Sequence, residues 1–84
     1  MPGQLHIRFF ASLRERLQLQ SLSLDWDAGD VSSLRSVLIS RGEAWADFAY
    51  PAQVRVAVNQ VMADESTLVR PGDEVAFFPP VTGG

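Results

Sequence analysis

Only one stretch of this chain, residues 31–41, repeats apolar residues at helical spacing over enough turns to cover a sheet, and that scarcity limits the fold more than any other feature. Val31, Leu34, Val37, Leu38 and Arg41 carry the spacing, Asp30 is placed to cap the first turn, and Gly42 to stop the last. Most of the remaining apolar residues alternate. Leu5, Ile7 and Phe9 alternate with His6, Arg8 and Phe10, and Leu22, Leu24 and Trp26 with Ser21, Ser23 and Asp25, which predicts an opening hairpin. Val54, Val56 and Val58 alternate with Arg55 and Ala57, and Val75 and Phe77 with Glu74, Ala76 and Phe78. Leu13 and Leu17 predict a short helical turn between the first two strands, and Trp45, Phe48 and Ala49 another that Pro51 closes. Turns are expected at 27–30, Asn59-Gln60 and 70–73, with Val61 and Met62 starting a brief returning strand.

Strand, strand, helix, strand, small strand, strand is an α+β order. It suits a ubiquitin-like β-grasp, a mixed sheet of four to five strands with one main helix on one face. The expected domain runs over residues 1–78, because Pro79-Pro80 cannot donate ladder hydrogen bonds; residues 79–84 then form an extended C-terminal diglycine tail. Eighty-four residues suffice for one modest core.

Composition narrows the function. With no cysteine, disulfides, thiolate metal sites and cysteine nucleophiles are excluded. A net charge of −3 disfavours a nucleic-acid or anionic-membrane surface, since phosphate binding needs clustered cations, and a protein partner with a basic face fits better. No run approaches membrane-spanning length and no export leader is evident, so a cytoplasmic location is expected. His6, the only histidine, has no nucleophile or base near it in sequence, and Asp64-Glu65 and Asp73-Glu74 read as solvated turns. No metal site is expected. All seven cations are arginines, so no internal amine can accept an acyl group, although arginine usage can also follow genome composition.

The tail is the exception. Six extended residues span roughly 20 Å, enough for the last carboxylate to enter another protein's pocket while the domain stays outside. Pro79 and Pro80 stiffen its base toward polyproline II, and Gly83-Gly84, lacking Cβ atoms, suit a narrow channel. Gly-Gly endings are also common in tails that do nothing, and a second signal is needed. Strand parity supplies it. If Leu5, Ile7, Phe9, Val75 and Phe77 face the helix, Phe10 and Phe78 face the other way and, with Met62, Ala57 and Ala76, can merge into one apolar patch at the root of the tail. The alternative is that a loop or the 43–50 segment covers them.

Phe9-Phe10-Ala11 with Leu13-Arg14-Glu15, then Leu34-Arg35, Ala57-Val58-Asn59-Gln60, and the run from Gly72-Asp73-Glu74 to Val81-Thr82-Gly83-Gly84 together resemble the MoaD-type sulfur carriers, the small subunits of molybdopterin synthase. The likeness covers nearly the whole chain, and residues 16–30 and 43–53 carry no family pattern. Thiamin-pathway carriers share the expected fold and the terminal glycines, but their tails do not resemble Phe-Phe-Pro-Pro-Val-Thr. The resemblance implies that Gly84 is adenylated by a ubiquitin-activating-like adenylyltransferase using ATP and magnesium, then thiocarboxylated, and donates sulfur to the dithiolene of molybdopterin. It implies that Gly83 gives clearance, Val81 and Thr82 line the partner's channel, and Phe10, Met62, Phe78, Pro79 and Pro80 bind partners. The large catalytic subunit would be one partner, in a heterotetramer, and this chain would carry sulfur without catalysing or binding a cofactor. Two other readings stay open: a carrier or modifier for another pathway, such as thiamin, tRNA thiolation or conjugation, and a ubiquitin-like binding module whose diglycine end is incidental.

Overall fold

The computed structural model describes residues 3–80. Five strands form one mixed sheet in the order β2-β1-β7-β4-β5, with β1 at Gly3–Phe9, β2 at Ser21–Trp26, β4 at Arg55–Val58, β5 at Val61–Met62 and β7 at Glu74–Phe78. The first and last strands are parallel central neighbours, with Ile7 opposite Val75 and Phe9 opposite Phe77; β2 pairs antiparallel with β1, and β4 with β7. Helix α1 (Ala11–Leu17) bridges β1 and β2, α2 (Val31–Ile39) crosses one sheet face, and a 3-10 helix at Glu43–Ala49 follows it. A second, two-stranded sheet joins β3 (Gly29–Asp30) to β6 (Leu68–Val69). This small pairing gave no signal in the sequence, because two residues are too few to show a period.

The core follows the alternation. Leu5, Ile7, Phe9, Val56, Val75 and Phe77 point from the sheet onto Val31, Leu34 and Leu38 of α2, and all are buried. Phe9, Phe48 and Phe77 pack in edge and stacked pairs with ring centroids 5.0 to 6.4 Å apart, and Trp45 stands 5.5 Å from Phe9. The 3-10 helix therefore closes the helix side of the sheet and leaves the other side alone. Trp26 Nε1 donates to the Val69 carbonyl at 3.0 Å, fastening β2 to the small sheet. Gly29 lies beneath that indole, where a Cβ would come within 2.9 Å of it.

Three details of α2 differ from the sequence expectation. The helix ends at Ile39 rather than Arg41. Val37 is exposed, because it lies roughly a hundred degrees around the helix from the buried stripe. The fourth buried position belongs to Arg35, 4% exposed, which completes the 31, 34, 35, 38 spacing. Its Nε meets Glu65 at 2.8 to 3.0 Å, its Nη1 donates to the Phe48 carbonyl at 3.2 Å, and its guanidinium lies 5.6 Å from the Phe77 ring centroid. One side chain thus ties α2 to the 3-10 helix, the 64–67 turn and β7. The Asp30 cap forms as expected, its carboxylate accepting from the Ser33 amide at 2.8 Å.

Two stability tests follow from these contacts. Arg35→Ala removes a buried stem, an ion pair and the partner of the Phe48 carbonyl, and is expected to cost about 2–3 kcal/mol in urea denaturation, whereas Val37→Ala stays within about 0.5 kcal/mol. The Ser33 amide and hydroxyl hold the Asp30 carboxyl below its ordinary value of 3.8. Because the folded-state pKa is the lower one, the cap's contribution is complete above 3.8 and lost as pH falls through the folded value. Asp30→Ala should accordingly be less stable than the parent at neutral pH, with the gap narrowing in acid.

Candidate functional site

The face of the sheet turned away from α2 is built from the other half of each alternation. Its rows can be read from the strand register. Arg8, Ala76, Ala57 and Met62 lie side by side across β1, β7, β4 and β5, and Phe78 lies beside Arg55 one repeat further on. Phe10 falls one residue beyond β1, at the start of α1. It nevertheless keeps extended angles (φ −126°, ψ 155°) and donates its amide to the Phe77 carbonyl at 3.2 Å, which prolongs the β1–β7 ladder and keeps the residue on the outer face, 40% exposed. The chain then turns sharply into α1 through Ala11, whose φ of +53° is costly for a residue with a Cβ.

Phe10 is 40% and Met62 56% exposed, Phe78 and Ala76 are half-buried, and Ala57 forms the floor between them. These five residues make a continuous apolar surface, large side chains above small ones. The 43–50 segment does not cover it, since Trp45 and Phe48 pack on Phe9 and Phe77 through the opposite face. Met62 owes its position to a tight hairpin. Asn59 and Gln60 both adopt left-handed angles (φ 51° and 69°), as a two-residue turn requires. The Asn59 side chain accepts from the Glu74 amide at 3.0 Å and donates to Asp73 at 3.1 Å, anchoring the hairpin to the start of β7.

Pro79 and Pro80 leave the sheet at the same end, beside a groove of roughly 280 Å³ whose walls include Ser12, Leu13, Arg16, Asp47 and Gln53. Arg16 and Asp47 form an ion pair across it, joining α1 to the 3-10 helix. Of the residues expected to act, Phe10, Met62 and Phe78 therefore share the outer face, and Pro79 and Pro80 follow Phe78 into the groove between α1 and the 3-10 helix. Val81, Thr82, Gly83 and Gly84 lie outside the described residues. His6 sits exposed on the outer face of β1, as a solvated strand residue does. Sequence reading missed Arg35 as a structural centre and Asn59 as the anchor of Met62. The first hides because a lone arginine reads as helix surface. The second was legible as a turn, but its reach to β7 depends on tertiary pairing.

A mixed sheet with parallel first and last strands, one crossing helix and an exposed face at the root of its C-terminal segment defines a ubiquitin-like β-grasp domain. The chain belongs to the ThiS family, whose model matches residues 7–84. It is 38% identical over 80 residues to the molybdopterin synthase sulfur carrier subunit of Haemophilus influenzae, covering 95% of this chain and 99% of that one. The molybdopterin synthase sulfur carrier subunit of Escherichia coli is 35% identical over the same coverage. Among solved structures, SAMP1 from Haloferax volcanii matches with a TM-score of 0.75 at 25% identity, over 98% of this chain and 100% of that chain.

Phe78→Asp places a charge in the middle of the apolar surface without touching the core. The variant should keep its urea midpoint within a few tenths molar of the parent, while its affinity for a large molybdopterin synthase subunit falls at least about tenfold, as for a central anchor, by calorimetry.

Proposed function

We propose that this chain is the sulfur-carrier subunit of a molybdopterin synthase, and that the Gly84 carboxylate is its reagent. The observation that carries this reading is the apolar surface around Phe78 at the root of a Pro-Pro-Val-Thr-Gly-Gly segment, in a chain 38% identical to a curated sulfur carrier subunit. The folded body addresses the segment to a partner, and the segment carries the chemistry.

A free carboxylate resists nucleophiles, because its charge repels them and oxide does not leave. Attack of a Gly84 carboxylate oxygen on the α-phosphorus of ATP, with loss of pyrophosphate, would turn it into a mixed anhydride with AMP. A ubiquitin-activating-like adenylyltransferase with magnesium is the fitting catalyst. A sulfur nucleophile then displaces AMP and leaves a thiocarboxylate. Its sulfur is delivered on a tether to the pterin substrate held by the large subunit, which makes a bimolecular encounter effectively unimolecular. In this reading the acids, bases and metal for these steps come from the partner enzymes. The chain acts as a donor subunit, in an assembly whose heterotetrameric form fits one carrier at each of two large-subunit sites. A cytoplasmic setting suits the ATP requirement.

SAMP1 is named a small archaeal modifier protein, and its match over nearly the whole chain favours a second reading, a ubiquitin-like modifier. Both readings need the terminal glycine and differ in its product. Intact-mass analysis of protein from its native host is expected to show a species in which one oxygen is replaced by sulfur, an increase of about sixteen mass units, and the Gly84 deletion should lack it. Molybdopterin formation with the large subunit should fall to background for that deletion. Persistence of product would overturn the carrier reading, and isopeptide-linked conjugates without thiocarboxylate would favour the modifier.

A further inference from the structure

Two arginines stand beside the apolar surface on the outer face of the sheet. Among the described residues, two of the seven arginines are in ion pairs, Arg16 with Asp47 and Arg35 with Glu65. Arg8 and Arg55 are exposed, in no such pair, and both belong to the outer face of the sheet. Register fixes where they stand. Arg8 flanks Ala76 on the β1 side, and Arg55 flanks Phe78 on the β4 side, so the two guanidiniums occupy diagonal corners of the surface. Their Cα atoms are about 12 Å apart, two strand spacings across and one side-chain repeat along.

Each is kept available by its surroundings. The Arg8 guanidinium lies 5.7 Å from the centroid of the Phe10 ring, a contact that orients it over the apolar surface and consumes few of its hydrogen-bond donors. Arg55 shares a hollow with Asp64 and Glu65, but both carboxylates are engaged: Glu65 with Arg35, and Asp64 with Ser66 and Thr67 at 2.7 to 3.2 Å. On a chain of net charge −3, the apolar surface thus has two cationic corners, at Arg8 and Arg55. Of the acids on this face, Glu74 lies one side-chain repeat from Ala76 and two from Phe78, and Asp25 lies farther off on β2.

We infer that Arg8 and Arg55 select the partner: the large subunit presents an apolar centre to Phe10, Phe78 and Met62, with carboxylates at its edge that meet these two guanidiniums. At this face the partner's edge is therefore acidic, where the net charge of the chain alone suggests a basic one. The inference rests on the docking role proposed above for this face. A second copy of the chain fits poorly, since face-to-face association would oppose arginine to arginine in a pair of acidic domains. Two cations also fall short of a nucleic-acid track. Rim charges of this kind act mainly on the rate of encounter and on which partner is accepted.

The test uses the full-length chain and the large subunit from the same organism, with association followed by stopped flow at low and high ionic strength. Arg8→Glu and Arg55→Glu are each expected to slow association about threefold or more at low salt, and the double variant about tenfold or more. Arg→Gln at either site should have a smaller effect than Arg→Glu, and all differences should shrink at high salt, where charges are screened beyond about 3 Å. Restoration of the Arg55→Glu rate by an acid-to-arginine change on the large subunit would identify the facing carboxylate. If Arg→Glu and Arg→Gln are equivalent and salt has no effect, the stems act only as apolar cover and the inference fails, even where Phe78→Asp still abolishes binding. Should Phe78→Asp bind normally, the docking role itself is wrong.

Discussion

Where β1 and β7 run side by side in parallel, Phe9 lies opposite Phe77, and the Phe10 amide extends the ladder by one residue so that Phe10 and Phe78 fall on the other face. That pairing joins the two ends of the sequence at the centre of the sheet, and two successive phenylalanines on each strand give the domain both its core and its exposed surface. A slip of one residue in either strand would exchange the two sets and leave neither intact. Everything downstream, from the seat of α2 to the exit of Pro79, takes its position from this register.

Much of this arrangement was legible in the sequence because it depends on periodicity. Alternation at 5–10 and 74–78 separates inward from outward rings, and the Asp30 cap and Asn59-Gln60 turn follow from local chemistry that needs no tertiary help. The exposed surface was legible for the same reason. What stayed hidden depends on partners distant in sequence. Arg35 reads as solvent-facing until Glu65, the Phe48 carbonyl and the Phe77 ring converge on it. Val37 looked like core because its helix face is defined by neighbours three and four residues away, and the fourth core position was filled by a charged residue. Clustering of Arg8 and Arg55 around one surface appears only once β7 lies between them.

The domain treats its charges in two ways. Arg35 is enclosed and fully committed, so its loss would leave a buried carbonyl unpaired and a ring uncovered. Arg8 and Arg55 stand on the opposite face with little internal role. Division of labour between two faces of a sheet one residue thick permits the outer surface to change its chemistry without disturbing the packing, since successive side chains share a backbone but no neighbours.

The parallel union of the terminal strands also has a mechanical side. Any pull on the residues after Phe78 along the axis of β7 loads the β1–β7 bonds, including Phe10 to Phe77 and His6 to Asp73, in shear. Bonds stressed together in this way share the load, where bonds peeled from an edge yield one by one. If the C-terminal segment enters another protein, as the proposed function requires, it is rooted in a strand held on both sides rather than one that peels from an edge.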